Sequence, residues 1–120
     1  MNKTIAQSLL NSASVLEAAL QDRIVYERYR LASANSGNDL DKCRVYLEEY
    51  KKHIANVPEM LSVKEYSKYL LKTRILHECA RQLVNLMETC NIPYEHRNRI
   101  SLAYKSIDTS YKKLLSSTNK

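Results

Sequence analysis

His77-Glu78-Cys79-Ala80-Arg81 opens like the helical zinc-protease motif. In that motif two histidines four residues apart bind the metal and the glutamate between them acts as base. Here Arg81 stands where the second histidine belongs, and one ligand cannot hold zinc. His77 falls on an apolar stripe one turn after Thr73. A hydrogen-bonded histidine at the core margin is the plain expectation, and a buried pH-sensitive polar layer the sharper one.

Cys43, Cys79 and Cys90 each fall on an apolar seam, where a thiol behaves as a small hydrophobe. Their number is odd and no C-x-x-C occurs. Cys79 and Cys90 lie about 16 Å apart along one helix, too far to bridge. A reducing, cytoplasmic setting is the simpler reading. His53 and His96 lie on other elements, with no spacing that brings them to a cysteine as its base. There is no glycine-rich phosphate loop, and the carboxylates alternate with lysines as on solvated helix faces. No catalytic residue, metal or cofactor is expected, and the chain reads as non-enzymatic.

The charge points to partners. Nineteen basic and thirteen acidic residues give a net +6, and residues 92–120 hold six basic and two acidic groups. Arg97, Arg99, Lys105, Lys112 and Lys113, interleaved with Tyr94, His96 and Asn98, are the candidate nucleic-acid contacts. On a helical wheel Lys105 and Lys112 fall on one side and Arg99 and Lys113 nearly opposite, and Asp108 interrupts the stripe. This reading is therefore the alternative. The preferred one is a small helical protein that binds another protein, with an acidic partner surface favoured, or a second copy of itself. Accessory, inhibitor, immunity and chaperone-like proteins share this form. The candidate interface is Val15, Ala19, Tyr26, Tyr29 and Tyr46, because tyrosine combines a large rigid area with a polar tip.

All aromatic residues are tyrosine, nine in number, and the chain has one glycine and two prolines. So few turn residues exclude a sheet protein of this length and favour an all-α fold. One domain over 1–120 is expected, as a four-helix up-down bundle with helices at about 4–34, 39–56, 62–90 and 93–116 and a frayed tail at 116–120. Orthogonal packing, or a break near Asn11–Ser14, is the alternative. Thr4 and Gln7 fit a capping box, as do Ser62 and Glu65. Residues 4–16 carry no charge, which suits either a helix gripped by two neighbours or a docking face. A stripe through Leu9, Leu16, Leu20, Ile24 and Leu31 continues this first helix. Gly37 fits a helix C-terminal cap and Asn38 or Asp39 the next N-cap. Leu40, Cys43, Leu47, Tyr50, Ile54 and Val57 form the cleanest seam, and Met60 and Leu61 are expected to tuck under the bundle end.

The third helix carries two apolar stripes. One starts at Val63 and Tyr66 and the other at Tyr69 and Leu76. Together they span roughly 200°, which makes this the expected central helix. Pro93 suits the first turn of the last helix, whose seam is Ile100, Tyr104, Ile107, Tyr111 and Leu114. No apolar run approaches the ~20 residues of a membrane span. The N-terminal segment, interrupted by Gln7 and Ser8, makes a poor signal peptide.

Overall fold

A computed structural model describes residues 1–36 and 40–118. Five helices follow in order: α1 Lys3–Gln21, α2 Arg23–Ser36, α3 Leu40–Ala55, α4 Val63–Thr89 and α5 Tyr94–Thr118. The described residues contain no strand. The caps expected at Gly37, Asn38 and Asp39 lie outside the described residues.

Among the described residues there are five helices where four are expected, because the first is two. Asp22 is extended, with φ −69° and ψ 124°. Its Oδ1 accepts from the backbone N–H of Ile24 at 3.0 Å and of Val25 at 3.1 Å. This satisfies donors that a new helix start leaves orphaned. The break falls eight residues past the Ser14 end of the expected one. It rotates α2, so the buried line becomes Val25, Tyr29 and Ser33, while Ile24 and Leu31 are 59% and 55% exposed. At the start of α1 the cap is Asn2, whose side chain accepts from Thr4 and Ile5. The Thr4–Gln7 box does not form.

The most enclosed helix is α1, not α4. It lies against α5, α3 and α2, and Leu9, Ala13 and Leu16 are fully buried. Four serines at the α1–α5 seam let the two backbones approach. Ser8 Oγ lies 2.9 Å from Ser106 Oγ, Ser110 donates to Ser8, and Ser12 and Ser110 are buried. Glu17 and Lys51 pair at 3.0 Å between α1 and α3.

The start of α4 is fixed by the Ser62–Glu65 capping box. At 27 residues it is about 40 Å long and matches the 42 Å long axis of the molecule. It packs on α5, and more lightly on α2 and α3. Its first turns are thinly covered, and Val63 is 86% exposed. The following contacts hold its flanks: Tyr66 donates to the Leu114 carbonyl of α5, Tyr29 to the Leu83 carbonyl, and Tyr46 to the Lys72 carbonyl. Met60 does not tuck in and is 91% exposed. Leu40, Cys43, Leu47, Tyr50 and Ile54 of α3 are buried as the seam requires. Helix α5 continues past 116 to Thr118.

Candidate functional site

Chemistry-bearing side chains gather on both flanks of α4. Toward α3 lies a shallow groove of about 820 Å³. Antiparallel packing makes it: as α3 rises from Cys43 to Tyr50, its partners on α4 descend from Cys79 to Thr73. The short side chains of Cys43 and Cys79 form a low floor beside Tyr46. Leu71 and Ile75, one helical turn apart, are 56% and 41% exposed along it. Lys42, Arg74 and Gln82 edge it. Neither Arg74 nor Lys68, which helical spacing puts beside Leu71 and Ile75, enters an ion pair among the described residues. The one carboxylate in the lining among the described residues, Glu78, is engaged by Arg81 on its own helix.

The Cys79 thiol is held well above the ordinary thiol range, first by its hydrogen bond with Cys43 and then by burial. It is therefore protonated at neutral pH and a weak nucleophile. No group of three or more metal-ligating side chains occurs among the described residues.

Toward α5 lies a polar cluster. His77 Nε2 is 2.8 Å from Asp108 Oδ1, and Lys112 Nζ is 2.9 Å from Asp108 Oδ2. The rings of Tyr104 and Tyr111 flank the imidazole at 5.5 and 5.2 Å. With its side chain 19% exposed, His77 is the hydrogen-bonded core-margin histidine its stripe suggested. Lys112 first, and His77 second, hold the Asp108 carboxyl below its usual range. A depressed carboxyl stabilises the fold above its unfolded value of ~4, and that contribution fades as pH falls through the lower folded value. Asp108→Asn should therefore flatten the acid side of the stability–pH curve below pH ~4 and leave its neutral side similar in shape. Chemical denaturation across pH checks this, and an unchanged acid limb would count against the assignment. His77→Leu should still unfold cooperatively, because Lys112 keeps Asp108 paired.

The candidate interface residues do not form one surface. Ala19 and Tyr29 are buried, at 6% and 0% exposure, and cannot contact a partner. The rotation of α2 about Asp22 turned Tyr29 inward. Val15 is half-buried against the core. Tyr26 donates to Asp41 at 2.7 Å, with the Arg44 guanidinium 4.5 Å above its ring. Only Tyr46 reaches the groove. The five basic candidates of α5 are all exposed, but they are not gathered. Arg97, Lys105 and Lys112 share one side by helical spacing, Arg99 and Lys113 another, and Lys112 is spent on Asp108. Sequence reasoning missed Leu71 and Ile75. The available signal was two apolar residues at i and i+4 that belong to neither stripe.

Comparison with known protein families, with curated sequences and with solved structures found no match. No helix among the described residues is long and apolar enough to cross a membrane.

Proposed function

We propose that this is a non-catalytic helical protein whose α3–α4 groove receives a short amphipathic helix from another protein. The observation that carries the reading is the exposed Leu71–Ile75 pair between cations, on a groove where Glu78, the one lining carboxylate among the described residues, is already engaged. Apolar side chains spaced by three or four residues on a guest helix would cover that pair. Acidic residues beside them would meet Arg74 and Lys68 and speed association. The action is then occlusion or scaffolding of the partner.

The experiment is an amide chemical-shift titration with a synthetic helical peptide carrying leucines at that spacing and glutamates between them. A lysine-for-glutamate peptide serves as control. Shifts should cluster on Tyr46, Leu71, Ile75 and Cys79 with the acidic peptide alone. The pair Leu71→Arg and Ile75→Arg should weaken binding by about 100-fold, the loss of two central apolar anchors. Absent or scattered shifts would overturn the reading.

The nucleic-acid alternative rests on Arg97 and Lys105, exposed on one side of α5, with the exposed Tyr94 one turn before Arg97. A single-stranded RNA oligomer in the same titration separates the two readings. Shifts confined to α5 that collapse with added salt would favour the alternative.

A further inference from the structure

We infer that Cys43 and Cys79 are a redox-responsive dithiol, able to close into a disulfide that ties α3 to α4 across the groove floor. None of the three cysteines is bridged in this structure. Cys43 and Cys79 nevertheless lie 36 positions apart in sequence, on different helices that face each other: the Tyr50–Thr73 contact sets the antiparallel register, and about two turns along each helix brings Cys43 opposite Cys79. Both line the same groove. Their burial differs in the way a two-step exchange needs. Cys79 is half-buried and open to a small reagent, while Cys43 is only 8% exposed. Cys90 lines no part of this groove.

The oxidant is a low-molecular-weight disulfide. The Cys79 thiol loses its proton to solvent, and the thiolate attacks one sulfur of that disulfide. A mixed disulfide forms and the first small thiolate leaves. Cys43, deprotonated in turn, attacks Cys79 Sγ and expels the second thiolate. Both released thiolates take up protons. Two protein thiols are oxidised, one disulfide is reduced to two small thiols, and no net proton is released.

The raised Cys79 thiol makes the first step slow at neutral pH and faster as pH rises. Slow exchange suits a group that follows the redox poise of its surroundings rather than a rapid peroxide sensor. The seam it would lock is lightly packed. Side-chain hydrogen bonds that cross it include Tyr46 to the Lys72 carbonyl and the Tyr50–Thr73 pair. The effect on peptide capture rests on the groove reading, whereas bond formation does not.

The test uses the full chain with Cys90→Ser, equilibrated with oxidised glutathione at pH 8. Intact mass should fall by two hydrogens, a Cys43–Cys79 linked peptide should appear, and the melting temperature should rise by roughly 5–10 °C. Adding Cys43→Ser should leave a stable glutathione adduct on Cys79 instead. Separate adducts on both cysteines, or two unmodified thiols after prolonged exposure, would overturn the inference. The peptide titration repeated on the oxidised protein then tests the consequence. A linked protein that binds the acidic peptide unchanged would remove the regulatory role and leave the dithiol standing.

Discussion

Leu16→Ala should lower the unfolding free energy by about 3–4 kcal/mol, whereas Ile24→Ala should change it by less than about 0.5 kcal/mol. The two leucine-sized residues sit eight positions apart on what reads as one continuous stripe. In the structure they have opposite fates. Leu16 is fully buried on α1, the helix that lies against α3 and α5. Truncating it removes transfer energy and leaves a cavity that three surrounding helices cannot collapse into, so the cost falls in the upper part of the range for such changes. Ile24 is 59% exposed, because Asp22 restarts the helix before it. Shortening its side chain removes little buried surface and costs mainly a small change in helix propensity, which favours alanine. Urea titration of both variants, analysed at constant m-value, measures the difference. Comparable losses at both positions would mean that α1 and α2 form one straight helix in solution. Loss at neither would mean that α1 is not enclosed.

The break at Asp22 shows why some of this fold was legible in the sequence and some was not. The Ser62–Glu65 box and the α3 seam are local patterns, and a local pattern with its own hydrogen bonds or a single buried face survives whatever surrounds it. The break interrupts the helical period by only one residue, without glycine or proline, so the apolar spacing runs on through it. Its signal is a single aspartate whose side chain can cap a helix, and aspartates are common on helix surfaces that continue. The choice of central helix failed for a different reason. A broad apolar arc on α4 suggests several neighbours. Part of that helix has no cover, as Val63, Leu71 and Ile75 show. The uncharged run at residues 4–16 was the better guide, since a helix gripped between two others can afford no charge on either side. The groove depends on which face of α4 is left bare, and that is a property of the packed assembly. The tyrosine-rich composition points to Tyr46, which lines the groove, while the rotation of α2 puts Tyr29 in the core.

Beneath the groove, Tyr50 and Thr73 should show a coupling that neither residue's burial alone explains. Tyr50 and Thr73 are 1% and 0% exposed, and their oxygens lie 2.9 Å apart. The hydroxyl of Thr73 donates to the Tyr69 carbonyl of its own helix at 2.8 Å. Its one proton is thereby committed, so Tyr50 is the donor and Thr73 the acceptor between the helices. Thr73→Val keeps the shape but removes the acceptor. The phenol is left with a buried, unsatisfied donor, which costs about 2 kcal/mol. Tyr50→Phe leaves the threonine bonded to Tyr69 and costs about 1 kcal/mol. In the double variant no donor is stranded, so the loss should be about 1 kcal/mol smaller than the sum of the two single losses. Burial pushes the Tyr50 phenol up to about 12, so it keeps its proton through the neutral range and the coupling should not vary between pH 6 and 9. Equilibrium denaturation of the four proteins measures the cycle. Simple additivity would mean that the two hydroxyls are each satisfied by water, and that the α3–α4 seam under the groove is open to solvent.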